Sequence, residues 1–233
     1  MEHIDKVSGT FGKKAQDMRG TVPQGVIKRL PRYHRYLGDL LRDGKKRISS
    51  RELSEIMGVT ASQIRQDLNC FGGFGQQGYG YNISYLHGKI SELLGVTEGY
   101  RAVIVGAGNL GRALSATHMF ERRGVDRLAL FDVREELIGT EIYGIRVYHV
   151  SELESYCREH GVDIAVLTVP KESAGAVVDS LIAGGVRGIW TFANMELVVD
   201  DPDVVVENIH LGDSLMALCY EIKTKNEKVE AND

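Results

Sequence analysis

Two sets of residues in this chain combine types and spacing that can do chemistry. The first is Ser62, Arg65, Gln66 and Asn69. At offsets of three, four and seven they share one face of a helix. Arg can donate two hydrogen bonds to a guanine edge, Gln and Asn pair with adenine in the same bidentate way, and Ser serves either. A merely solvated face carries Glu and Lys; this one carries groups that read DNA bases. The second set is Gly106, Gly108 and Gly111, with Asp132 placed 21 residues beyond the last glycine. Gly106 permits a tight turn, Gly108 admits a pyrophosphate close to the backbone, and Gly111 lets helix and strand pack together. Ala107, Asn109 and Leu110 complete the loop, and N–H groups at the helix start near Asn109 face the phosphates. Asp132 is positioned to accept from both adenosine ribose hydroxyls and to repel a 2′-phosphate, which selects NADH and NAD+. Arg134, two residues on, softens that preference.

The first set needs a helix-turn-helix to present it. Val26, Ile27, Leu30, Tyr33, Leu37, Leu40 and Leu41 recur at helical spacing after Pro23, with a kink or restart at Pro31. Capping boxes then open two short helices, Ser49 with Glu52 and Thr60 with Gln63. Leu53, Ile56 and Met57 face inward from the first, and Ala61, Ile64 and Leu68 from the second, which runs to about Cys70. Gly58-Val59 makes the turn between them. Ser49, Thr60 and Gln63, at the helix starts, join the candidate DNA contacts, and Lys45, Lys46 and Arg47 just upstream suit phosphates. The stretch from Phe71 to Tyr81 alternates glycines with aromatics. It reads as a β-hairpin, a wing whose Gly78 and Tyr79 reach a groove, or alternatively as a hinge. A further helix through Ile83, Leu86, Ile90, Leu93 and Leu94 ends near Gly95.

The second set needs a parallel α/β sheet. A buried strand from Arg101 runs into the glycine loop, a helical run follows through Ala113, Leu114, His118 and Met119, and a second strand, Leu128 to Phe131, ends in Asp132. Strands at 164–168 and 188–191 end in Thr168-Val169-Pro170 and Phe192-Ala193-Asn194. Such strand ends hold the ligand in open α/β sheets, so Thr168, Val169, Pro170 and Phe192 form the expected nicotinamide side. A helix from Glu172 to Ala183 lies between them. A last helix, Leu211 to about Lys223, has Leu215, Met216, Leu218, Cys219 and Ile222 over much of its circumference, so it should be buried on more than one side, by its own domain or by a second subunit. The expected organisation is a flexible tail (1–21), a winged helix (22–95), a nucleotide-binding domain (96–210), a dimerisation helix (211–224) and a polar, mobile tail (225–233).

Charge supports this division. Residues 1–90 carry 15 Lys and Arg against 8 Asp and Glu, while the remainder carry 13 against 24. A basic front and an acidic back point to a polyanion partner for the front alone. Cys70, Cys157 and Cys219 have neither disulfide nor metal spacing and read as buried or half-buried thiols. With no apolar leader or spanning run, the expected location is the cytoplasm. Catalytic machinery is thin: His3, His34, His87, His118, His149, His160 and His210 are scattered, and no second domain remains to hold a substrate. Tyr85 and Lys89 match a dehydrogenase Tyr-x-x-x-Lys spacing, but they precede the nucleotide-binding strand. A cofactor bound without a reaction is a signal, so a sensor rather than an enzyme is expected. The alternatives are an NAD-dependent oxidoreductase with an accessory DNA-binding domain, and a CoA-binding module. Asp132 argues against the latter, since its placement suits a ribose with free 2′ and 3′ hydroxyls.

From Val22 to Tyr220 the chain resembles the Rex family of redox-sensing transcriptional repressors. The resemblance is most specific at Lys28 to Pro31, Ala61 to Leu68, Phe71-Gly72, Gly78 to Tyr81, Val105 to Gly111 and Leu167 to Pro170. It implies a homodimer with exchanged C-terminal helices on a palindromic double-stranded operator. It also implies that NADH reorients the winged helices and releases DNA, whereas NAD+ leaves the protein competent to bind. Three departures stand out. Gln76 and Gln77 replace basic wing residues, Thr117 replaces a Tyr, and His210 replaces its Asp partner, while the third member of that trio, Arg35, is kept. The trio links cofactor state to domain orientation in the family, and His210 in it would make the switch sensitive to pH near neutrality.

Overall fold

The structure, a computed structural model, describes residues 22–70, 75–76 and 80–230. The expected N-terminal tail, Gln77, and Gly78 and Tyr79 of the wing lie outside them. The chain divides into two compact units between Thr97 and Glu98.

In the first unit a single turn, α1 (Gln24–Ile27), is followed by α2 (Leu30–Arg42). Pro31 stands in the first turn of α2, where a missing N–H costs nothing, so the helix restarts there. Strand β1 (Arg47–Ile48) leads to α3 (Ser50–Met57) and α4 (Ala61–Asn69). Gly58, in the left-handed region at φ 64°, makes the turn. Strands β2 (Gly75–Gln76) and β3 (Gly80–Asn82) pair antiparallel, and β1 joins them in the order β1-β3-β2. Helix α5 (Ile83–Leu93) packs on α2. Tyr33, Leu37, Leu53, Met57, Ile64, Leu68, Leu86 and Ile90 make one core. This is a winged helix, and the hairpin reading holds over hinge. Two details differ from expectation. Ile56 is 40% exposed, because α3 is short and turns only Leu53 and Met57, at i and i+4, inward. The second capping box is half made: Thr60 Oγ1 accepts from the Gln63 N–H, but the Gln63 side chain goes to Asp67.

The second unit is a seven-stranded sheet in the order β10-β9-β8-β4-β5-β7-β6. The strands are β4 (Tyr100–Val105), β5 (Val125–Asp132), β6 (Glu141–Ile142), β7 (Ile145–His149), β8 (Ile164–Leu167), β9 (Gly188–Thr191) and β10 (Val205–Asn208). All pairings are parallel except β6 with β7, whose hairpin turns through Tyr143-Gly144. Alternation splits β4 between faces. Val103 and Val105 pack with α7 (Leu153–His160) and α8 (Lys171–Ala183), and Ile104 lies with Phe120, Leu130 and Val166 on the other side.

Helix α6 (Asn109–Ser115) ends before His118 and Met119, short of the expected run. Ser115 Oγ donates to the Gly111 carbonyl and Thr117 Oγ1 to that of Leu114, which gives the last turn local partners in place of further helix. Helix α9 (Leu211–Glu230) continues past Thr224 over most of the expected polar tail, because Lys, Glu and Asn there break no helix and Lys223 lies one turn from Glu227. Its Leu211, Leu215, Met216, Leu218, Tyr220 and Ile222 are all more than half exposed, so the described residues of its own unit do not bury it. Cys219 is exposed with them, contrary to expectation, while Cys157 is buried and Cys70 half-buried.

Candidate functional site

On α4, Ser62, Arg65, Gln66 and Asn69 are all exposed, and Ile64, Asp67 and Leu68 are buried on the opposite side. Arg65 donates to Ser50 Oγ at 3.1 Å, which ties the exposed face to the start of α3. Asp67, 1% exposed at its side chain, accepts from Arg29 Nε and Nη2 (2.7 Å each), Tyr33 Oη (2.9 Å) and Gln63 Nε2 (2.8 Å). Burial raises its carboxyl, but the hydrogen bonds from Arg29, Gln63 and Tyr33 outweigh it and hold the group below its ordinary value. Burial and the same carboxylate push the Tyr33 hydroxyl up. This network sets the position of α4, and the pattern reading missed it. The signal was there: Asp67 falls on the inward stripe with Ile64 and Leu68, where a carboxylate needs partners.

The upstream basic run divides. Lys45 pairs with Glu52 at 2.9 Å, and Ser49 caps α3, its hydroxyl and backbone N–H both bonded to Glu52. The Ser49 backbone, Lys45 and the Ser49 hydroxyl together draw the Glu52 carboxyl to about 2. Lys46 and Arg47 are exposed, and Arg47 pairs across β1–β3 with Asn82, next to the hairpin.

In the second unit the strand order reverses between β4 and β8, and this opens the crevice where doubly wound sheets take ligands. The glycine loop lies there. A Cβ on Gly106 (φ 101°) would stand 2.8 Å from the Thr168 carbonyl, and one on Gly111 would stand 1.9 Å from the Gly106 carbonyl. Gly108 faces open space, with nothing within 4 Å of a Cβ. Two glycines are therefore demanded by packing, and the third leaves room for a bulky group against the backbone, as a pyrophosphate requires. Thr168 Oγ1 reaches the Val105 and Gly106 carbonyls at 3.1 and 2.8 Å. Val169 and Phe192 are half-buried and Pro170 is exposed, all just beyond the ends of β8 and β9. Phe192 packs edge-on to Trp190, and its N–H joins the Leu167 carbonyl.

Asp132 ends β5 beside this loop and is 8% exposed. It accepts from the Ala107 N–H at 2.7 Å, from the Val133 and Arg134 N–H groups, and from the Arg134 guanidinium in a fork. Burial raises this carboxyl, but the Arg134 side chain and the Ala107 and Arg134 amides outweigh it, and it rests at about 2. It is a carboxylate at any physiological pH, as a ribose acceptor must be. Elsewhere, His210 Nε2 lies 3.0 Å from Glu196, and the Arg35 guanidinium sits 5.3 Å from the Tyr36 ring centre. Among the described residues no His, Cys, Asp or Glu cluster could hold a metal, and no helix is long and apolar enough to cross a membrane.

A winged helix whose second helix exposes Ser62, Arg65, Gln66 and Asn69, followed by a doubly wound sheet with a dinucleotide-type glycine loop, defines a DNA-binding regulator of ligand-responsive design. Residues 21–69 match the model described as "Putative DNA-binding protein N-terminus", and residues 97–195 the one described as "CoA binding domain". The redox-sensing transcriptional repressor Rex of Clostridium beijerinckii is 52% identical over 199 residues, 85% of this chain and 94% of that protein. The crystal structure of RSP, a Rex-family repressor, in complex with β-NAD+ and operator DNA superposes with a TM-score of 0.83 at 45% identity, covering 91% of this chain and 97% of the other. RSP in complex with β-NADH gives 0.82 at 43% identity, with coverage of 90% and 98%. The chain belongs to the Rex family of redox-sensing transcriptional repressors.

Proposed function

We propose that this chain is a DNA-binding repressor that senses the NADH/NAD+ ratio, with NADH releasing the operator. The observation that carries the reading is the presence on one chain of the exposed Ser62, Arg65, Gln66 and Asn69 face and the crevice around Gly108 and Asp132. Its support is the likeness over nine-tenths of the chain to RSP, known with operator DNA, NAD+ and NADH.

The residues fit the dinucleotide. Gly106 to Gly111 cradle the pyrophosphate, Asp132 takes the adenosine ribose, and Thr168, Val169, Pro170 and Phe192 form the nicotinamide side. On the first unit, Lys46 and Arg47 meet phosphate, and the α4 face enters the major groove. NAD+ and NADH differ only at the nicotinamide, so discrimination belongs to the strand ends and the adenosine half supplies affinity common to both. Release requires that NADH bind the DNA-incompetent state more tightly, and by linkage the operator must then weaken NADH by the same factor. Free ribose hydroxyls at Asp132 favour NAD(H) over CoA, whatever the name of the matched model. We also assign the exposed seam Leu211, Leu215, Leu218 and Ile222 of α9 to a second copy of the chain, in a dimer that matches a palindromic operator. An apolar groove of about 580 Å³ along β8, β9 and β10, lined by Phe120, Trp190 and Val205 among others, offers further surface for that copy.

The test is binding to a labelled palindromic duplex, selected with the protein at fixed salt, while NADH is titrated against a background of NAD+. Release by NADH alone supports the reading. DNA binding indifferent to both nucleotides, or steady consumption of NADH with a carbonyl substrate, refutes it.

A further inference from the structure

We propose that Arg134 is a built-in competitor for the adenosine ribose subsite, which sets both the affinity for NAD(H) and the margin over the 2′-phosphorylated dinucleotides. This rests on the reading of the glycine-loop crevice as a dinucleotide site.

The lone pairs of Asp132 are already taken. Oδ1 accepts from the Val133 N–H (2.9 Å), the Arg134 N–H (3.0 Å) and Arg134 Nε (2.9 Å). Oδ2 accepts from the Ala107 N–H (2.7 Å) and Arg134 Nη2 (3.0 Å). A carboxylate offers about four acceptor directions and already shares them among five donors, so the two O–H groups of a ribose diol can enter only in place of two of these. Three of the five are backbone amides fixed by the end of β5 and by the glycine loop. The other two belong to one guanidinium whose side chain is 44% exposed, and it alone can leave. Its fork presents two parallel donors to the two oxygens, the arrangement a vicinal diol would adopt, so guanidinium and diol exclude each other. Nη2 also donates to the Ala107 carbonyl at 3.0 Å, so Arg134 spans the loop and the carboxylate.

Displacement does not remove the charge. Arg134 stays tethered two residues from Asp132, beside the ribose edge that carries a 2′-phosphate in the phosphorylated cofactors. There it offsets the repulsion that Asp132 exerts on that phosphate. Loss of the guanidinium therefore acts in opposite directions on the two cofactor classes. The competition concerns the adenosine half, so it acts equally on NADH and NAD+.

The experiment is titration of the full chain with NADH, NAD+ and NADPH, by calorimetry and by nucleotide fluorescence, for the wild type, Arg134→Ala and Arg134→Lys. Partly exposed ion pairs are modest, so Arg134→Ala should tighten NADH and NAD+ alike by about two- to fivefold and weaken NADPH by a similar factor. Arg134→Lys keeps the charge without the fork, and should tighten NADH while leaving NADPH close to wild type. Urea unfolding of each variant checks that the unit is intact. Weaker NADH binding by Arg134→Ala would make the guanidinium a ligand contact and overturn the proposal, as would unchanged affinities. If the wild type bound no NADH, the dinucleotide reading would fail too; wild-type binding with an unaltered Arg134→Ala variant would sink the competitor alone.

Discussion

Asp67 carries the most consequential contacts of the DNA-binding unit, and Asp67→Ala measures them. The substitution leaves the Tyr33 hydroxyl, on a residue with 0% exposure, without its acceptor, at about 1–3 kcal/mol. Arg29 is 34% exposed at its side chain and regains water, so its share is discounted to about 0–1 kcal/mol. Together these give a loss of about 1–4 kcal/mol for Ala. Asn keeps an acceptor for one donor, and should lose about 1–2 kcal/mol. The two units can be followed separately in the intact chain. Trp190, the sole tryptophan, lies in β9 of the second unit, so its emission reports that unit, while far-UV circular dichroism reports both. In urea, Asp67→Ala should move an early helical transition and leave the Trp190 transition in place. Operator affinity should fall as well, because the network sets where α4 sits. The folded Asp67 value is depressed below 3.8, so its stabilisation is fully present above 3.8 and is lost as pH falls through the folded value. A helical transition of Asp67→Ala within about 0.5 kcal/mol of wild type would refute this account of the helix-turn-helix.

Three further outcomes follow from the geometry. Gly111→Ala puts a Cβ 1.9 Å from the Gly106 carbonyl and should cost the second unit about 3 kcal/mol or more in the Trp190 transition, whereas Gly108→Ala meets nothing within 4 Å and should weaken NADH binding at unchanged stability; equal stability losses would refute this division of the glycines. Burial lowers His87, stacked on His34 at 4.2 Å, so its contribution is fully present above 6.5 and declines as pH falls toward the lower folded value. The urea midpoint of the first unit should therefore drop between about pH 7.5 and 5.5, and less so in His87→Gln; equal slopes would exclude His87. Leu215→Glu with Leu218→Glu should convert the dimer to a monomer by light scattering, and an unchanged mass would remove α9 from the interface.

What was legible in the sequence is what spacing encodes. The α4 face, the capping residues, the glycine loop and Asp132 all depend on neighbours within a turn or a strand–turn–helix unit, where residue type and offset determine direction. Elements without such a code escaped. Strand β1 is two residues long and exists because Arg47 and Ile48 find Asn82 and Tyr81. The end of α6 depends on where two hydroxyls find carbonyls, and the exposure of α9 on what the described residues of its own unit leave uncovered. A periodic apolar stripe states that burial is needed but not which surface supplies it.

The same distinction governs the sites. Spacing does not single out Asp67, because its partners, Arg29 and Tyr33, lie 38 and 34 residues away, and only the packing of α2 on the helix-turn-helix brings them together. Spacing singles out Asp132 as a candidate acceptor without saying what already occupies it. In the folded chain the Ala107 amide and the Arg134 fork hold both oxygens. The amide orients the carboxylate toward the loop and is compatible with a bound ribose; the fork is not. A ratio sensor is served by that arrangement. A donor that must leave before either nucleotide binds lowers both affinities together, so it shifts the concentration at which the site fills without altering the preference between redox forms that the nicotinamide side must supply.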